Sequence, residues 1–181
     1  ITSPMTLIDG NYYVPMEVLS ANLGYSYDWD IDSNEVVVAN TSGETNILPS
    51  SYDLRDKGRS TEIKNQGSKG TCWAFAALTA LESSLLPEES IEFSTDHMTL
   101  KNSFALTQDD GGQYTMSLAY LTAWQGPVLE QDDPYDGVAV DGLTAVKHVQ
   151  EAQVIESKDL EKIKEAVFKY GGVQTSIYST L

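Results

Sequence analysis

The stretch Asn65 to Leu81, NQGSKGTCWAFAALTAL, decides how the rest of the chain is read. It holds Cys72, the one cysteine in 181 residues, where a glycine-containing loop gives way to helix-forming sequence. Gly67 and Gly70 allow a tight irregular turn, and Phe75, Leu78, Ala80, Leu81 and Leu85 supply a broad apolar face beyond it. The pattern predicts a buried helix that starts at Cys72. A thiol there meets backbone N–H groups without intrahelical acceptors and the positive end of the helix dipole, both of which favour thiolate over thiol. Gln66, six residues earlier, carries a neutral amide that can donate a hydrogen bond to an oxyanion forming beside the sulfur. Nucleophile plus oxyanion donor is one reading of this pair. A buried, inert cysteine at a helix start is the other.

Composition narrows the partners. Against 27 acidic residues stand 11 basic ones, for a net charge of −16, which repels phosphate backbones and anionic headgroups. Nucleic-acid and peripheral membrane roles are therefore not expected. No apolar run approaches the roughly twenty residues needed to cross a bilayer. No histidine or cysteine precedes Cys72, and copper-type sites need imidazole or sulfur, so neither metal nor organic cofactor is expected. The chain opens on Ile1 rather than Met, which reads as a trimmed mature chain or a fragment. One thiol forms no internal disulfide, and by itself it does not locate a compartment.

Three segments emerge along the chain. Residues 1–40 read as a small α/β unit: two short extended runs around Asp9-Gly10, a helix from Pro15 through Leu23, and a hairpin pairing Tyr25 to Trp29 with Val36 to Ala39. Residues 41–47 are polar, include Gly43, and make a linker; residues 48–181 form the main part. There the helix from Cys72 ends at Pro87, and Ser94 caps a short helix carrying Asp96 to Lys101. Gly111-Gly112 precede a helix from about Gln113 to Gln125. Val146 to Ile155 alternate as a strand, Ser157 caps a helix from Asp159 to Tyr170, and Val173 to Tyr178 read as a further strand.

The run QGSKGTCWAF, preceded by LPSSYDLRDKG and IKNQ, resembles the opening of the mature domain of papain-like cysteine peptidases. The resemblance implies that Cys72 is the nucleophile and Gln66 the oxyanion-hole side chain. It also implies an α+β fold: a papain-like helical subdomain plus the start of the β subdomain, preceded by the small accessory unit. Gly111 and Gly112 match the family's glycine pair, which offers unhindered backbone to an extended substrate, and Tyr114 would line the neighbouring pocket. An ordinary glycine turn before a helix is the plainer alternative. YLTAWQGPVLEQDDPYDG is similar to clostridial cell-wall proteases of this class, in which Trp124 and Tyr135 are read as structural. The missing disulfides also point to a bacterial branch. Residues 1–40 resemble the repeat domain named after the N-terminal region of copper amine oxidases, common in exported proteins of Gram-positive bacteria.

Two histidines, His97 and His148, occur in the sequence, and neither fits the family's catalytic place. The family's histidine and its orienting asparagine follow a later strand. Drawing a thiol from about 8.5 to the range near 4 takes roughly 6 kcal/mol, whereas a helix terminus supplies about 2 at best. These 181 residues alone are thus expected to be inactive. The expected function is the N-terminal portion of an exported bacterial cysteine endopeptidase, extracellular or wall-associated, acting on proteins or peptides that include cell-surface proteins. A non-catalytic wall-binding module with a degenerate peptidase domain is the alternative.

Overall fold

The computed structural model describes residues 6–9, 11–13, 25–30, 35–40 and 48–178, with the strands before residue 48 described by their backbone. The chain divides into two compact units, Ile1–Leu48 and Pro49–Leu181. In the first, β1 (Thr6–Ile8) pairs antiparallel with β2 (Asn11–Tyr13), Leu7 opposite Tyr12. Asp9 turns between them at φ 50°, in the left-handed region that aspartate tolerates better than most residues. A second hairpin joins β3 (Tyr25–Asp30) to β4 (Glu35–Asn40), in register from Tyr25 opposite Asn40 to Asp30 opposite Glu35. The helix expected from Pro15 to Leu23 lies outside the described residues.

The second unit is built on α1 (Cys72–Leu85), with α2 (Thr95–Leu100), α3 (Tyr114–Thr122) and α4 (Leu160–Tyr170) around it. The inward stripe of α1 is Trp73, Ala74, Ala77 and Leu78. It meets Phe93, Met98, Met116, Tyr120 and Leu121 in one cluster. Of the expected apolar face only Leu78 is fully buried, while Leu81 and Leu85 pack at the cluster's margin. The helix is apolar nearly all round, so its sequence sets no unique stripe. Its neighbours choose Trp73 and the small alanines, over which α2 and α3 approach. Each large apolar side chain so buried contributes about 1.5–3 kcal/mol.

On the same helix Glu82 is buried at 2% exposure, accepting from Lys64 Nζ at 2.6 Å and from the Phe93 N–H at 2.8 Å. That pair ties the segment entering the Gln66 loop to the last turn of α1. Ser94 caps α2, its hydroxyl accepting the His97 N–H at 3.0 Å. Arg59 joins the C-terminal ends of α1 and α4 by donating to the carbonyls of Leu86 and Tyr170. Gly171, at φ 106°, closes α4 where an added Cβ would stand 2.8 Å from Ser83 Oγ.

Four local expectations are corrected. The α3 helix is Tyr114–Thr122, shorter at both ends. Asp159, not Ser157, caps α4, its carboxylate accepting the Lys162 N–H at 3.2 Å. The strands expected over Val146 to Ile155 and Val173 to Tyr178 are irregular backbone. Alternating sequence needs a partner edge to become a strand. Instead, Val146 N–H donates to the Pro127 carbonyl at 2.9 Å and the Val149 carbonyl accepts the Trp124 indole N–H at 3.2 Å. Beyond α4, Gln174 docks by its side chain, donating to the Trp73 carbonyl at 3.0 Å.

Candidate active site

The loop before α1 is shaped by its own polar groups. Asn65 Oδ1 accepts the Gly67 N–H at 2.8 Å, an Asx turn that Gly67 completes at φ 64°. Gln66 folds back inside it, its amide donating to the Lys69 carbonyl at 2.6 Å. One of the two amide hydrogens is thereby used, and the other remains to be given. Cys72 is an exposed free thiol at the first residue of α1. Thr71, the N-cap, has φ −100° and ψ 10°, and its side chain makes no capping bond. The first helical N–H groups, at Cys72 and Trp73, have no intrahelical acceptor.

A second loop stands against the first. The Gly70 N–H donates to the Gln108 carbonyl at 2.7 Å, and a Cβ on Gly70 would lie 2.8 Å from the Gly111 nitrogen. A Cβ on Gly112 would run into the Trp73 indole. Only glycines let these two backbones touch, so Gly111 and Gly112 are fixed beside the start of the helix that carries Cys72. The Gln108 side chain anchors that loop by donating to Asp96 Oδ1 at 2.6 Å, and Asp96 Oδ2 accepts the Asp136 and Gly137 N–H groups. Tyr114 begins α3 two residues later, with 47% of its surface exposed.

Tyr135 closes the back of the loop. Its ring meets Phe75 edge-on at 4.9 Å, and its hydroxyl lies 2.6 Å from Thr71 Oγ1 and donates to the Gln66 carbonyl at 3.1 Å. Behind the ring a cavity of about 210 Å³ is lined by Lys64, Asn65, Phe75, Glu92, Glu130 and Tyr135, and does not include Cys72. Burial raises the Glu130 carboxyl above its ordinary value, partly offset by the Tyr135 N–H it accepts.

Residues 48–180 match the model of the papain family cysteine protease. The chain belongs to the papain family. This papain-family chain is 29% identical over 174 residues to a viral cathepsin of Heliothis zea nuclear polyhedrosis virus, covering 90% of this chain and 46% of that protein. It is 29% identical to the clostridial cysteine protease Cwp84 after propeptide cleavage, with a TM-score of 0.54 over 66% of this chain and 34% of that one. A digestive procathepsin L 3 of the Tenebrio molitor larval midgut shares the fold, at TM-score 0.58 and 22% identity, over 70% of this chain and 43% of that one. The chain spans less than half the length of each of these three proteins.

The histidines of this papain-family chain are engaged away from the thiol. His97 is buried, its Nδ1 hydrogen-bonded to the Tyr120 hydroxyl at 2.6 Å, and burial pulls its pKa below the ordinary value against the attraction of Asp133. His148 packs against Trp124 with ring centroids 4.7 Å apart and the planes tilted by 51°. Among the described residues no cluster of metal-ligating side chains occurs, and no helix is long and apolar enough to cross a membrane. Sequence reasoning missed the linking roles of Thr71, Gln108 and Tyr135. An aromatic after Pro134 carries no local signal that ties it to a threonine 64 positions earlier.

Proposed function

We propose that the chain supplies the nucleophile, the oxyanion donors and part of the substrate groove of an exported bacterial cysteine endopeptidase. The observation that carries this reading is an exposed Cys72 on the first, uncapped turn of α1, flanked by the Gln66 loop and the Gly111-Gly112 backbone. In the reaction, the Cys72 sulfur adds to a peptide carbonyl carbon and the carbonyl oxygen takes the negative charge. The Cys72 N–H and the free hydrogen of the Gln66 amide hold that oxygen. Collapse expels the amine, which takes a proton from an imidazole, and water then hydrolyses the thioester to acid and free thiol. Gly111 and Gly112 bind the extended substrate through their backbone, and Tyr114 lines its side-chain pocket.

His97 and His148 are each committed elsewhere, so the imidazole comes from outside these 181 residues, which by themselves are inactive. Residues 1–40 are an accessory module, joined by residues 41–47, that spaces the peptidase from the wall. Likeness to the clostridial protease supports the bacterial setting; the wall-associated place and the cell-surface substrates are part of the proposal. The test is hydrolysis of a peptide substrate by the full-length protein and its Cys72→Ala variant. Loss of activity by at least about a thousand-fold is expected. Activity retained by Cys72→Ala refutes the assignment.

A further inference from the structure

Resting on the peptidase reading, we propose that Tyr135 is a positioning residue for both oxyanion donors at once. Its hydroxyl fixes the peptide plane that aims the Cys72 N–H and anchors the backbone that carries the Gln66 amide. A phenol has one hydrogen to give. Because Tyr135 donates it to the Gln66 carbonyl, the 2.6 Å contact with Thr71 must be filled by the Thr71 hydroxyl donating to the Tyr135 oxygen. The three groups form a directed chain, Thr71 to Tyr135 to Gln66, in which each bond polarises the next.

The Thr71 end matters through one torsion. The ψ angle of Thr71 sets the direction of the Cys72 N–H, and here it is 10°, in the sparsely populated bridge region together with φ −100°. An N-cap threonine ordinarily takes the extended region, with its oxygen turned onto the N–H groups of its own helix. Thr71 is fully buried, so its hydroxyl needs a protein partner, and Tyr135 provides one that leaves ψ where it is. Without the phenol oxygen, the stranded hydroxyl is drawn to its own helix end, and the 71–72 peptide plane turns with it, through ψ of Thr71 and φ of Cys72 together, so the Cys72 N–H leaves its present direction. At the other end, the Gln66 carbonyl loses its tether 3.1 Å away, and the amide loses a fixed base. The Tyr135 ring, held edge-on by Phe75, keeps the hydroxyl in place from outside the loop.

The test is run on the full-length protein with Tyr135→Phe, which keeps the ring and removes one oxygen. A peptide aldehyde forms a hemithioacetal with Cys72 whose oxygen occupies the donors, whereas iodoacetamide alkylates the same sulfur by displacement at carbon and forms no oxyanion. Tyr135→Phe is expected to weaken aldehyde binding and lower kcat by about ten-fold, short of the roughly 10²–10³ that deleting a donor costs. KM and the alkylation rate of Cys72 should stay unchanged. Thr71→Val removes the hydroxyl that would turn to its own helix and leaves the Tyr135 bond to Gln66, so it should cost less than Tyr135→Phe, and the double variant should lose no more than Tyr135→Phe alone. Equal loss of aldehyde binding and alkylation means simple packing damage and overturns the proposal. Unchanged aldehyde binding, or losses that multiply in the double variant, overturns it as well. If wild-type protein is alkylated at Cys72 yet binds no aldehyde there, the peptidase reading fails and takes this inference with it; a defect confined to the variants' pattern leaves that reading standing.

Discussion

At Gln66 the amide has two hydrogens, and one is bonded to the Lys69 carbonyl at 2.6 Å. That bond aims the group without exhausting it, so Gln66→Ala should lower kcat about 10²-fold while leaving KM nearly unchanged. Steady-state kinetics on the full-length protein check this, and a rise in KM at constant kcat would assign Gln66 to ground-state binding instead. Gly112→Ala tests the contact between the two loops. Its Cβ has no room beside the Trp73 indole, and overpacking of this kind costs about 1–3 kcal/mol by denaturant melts. Lys64→Met strands the buried Glu82 carboxylate and should cost about 3 kcal/mol, whereas a variant as stable as wild type would show the pair to be unimportant. Cys72, Gln66 and the glycine pair could be put forward from the sequence because they lie in short contiguous strings, and the structure brings those strings together at Gly70 and Trp73. Tyr135 was legible only as an aromatic, since its partners are 64 and 69 positions away and no periodicity reaches that far.

Among the elements, α1 and α2 follow from their signals: a loop-to-apolar transition at Cys72, and a serine cap at Ser94. The stripe α1 buries was less legible, because an apolar helix can turn several faces inward and its neighbours decide. The alternating runs at 146–155 and 173–178 failed as strands for a related reason: among the described residues no edge pairs with them, and side chains such as Gln174 and Trp124 fasten these segments instead. The packing of α2 on α3 also carries a pH signature. His97 lies between them with its pKa held down by burial, so the unfolded chain takes up the proton first as the pH falls. Its neutral ring contributes stability above about pH 6.5 that is lost as the pH drops toward the folded value. Asp133, raised by burial, works in the opposite sense: its contribution is present in acid and lost as the pH rises through its folded value. Thermal melts of wild type and His97→Gln isolate the histidine. Wild type should lose ground to the variant between pH 7 and 5, and a gap that stays constant with pH would contradict the buried neutral histidine.

On the scale of the molecule, the chain divides into two compact units after Leu48, and the family match begins at that residue. If residues 1–40 serve attachment or spacing, removing them from the full-length protein should leave kcat/KM for a short soluble peptide unchanged while releasing the protein from wall fractions. A fall in kcat/KM would make that unit part of the enzyme. The second unit carries Cys72 at the start of a helix and Gln66 on a loop before it, with Tyr135, Gln108 and the Lys64–Glu82 pair tying these segments to the rest, so the proposed site depends on contacts that span the unit. The central claim is that Cys72 itself carries the acyl group. Quenching the full-length protein in acid during turnover of a peptide ester, followed by mass spectrometry of its proteolytic fragments, tests this directly. An acyl mass is expected on the fragment containing Cys72 and should disappear in Cys72→Ala; ester hydrolysis that proceeds with no acyl group on Cys72, or that survives the substitution, would rule the cysteine out as nucleophile.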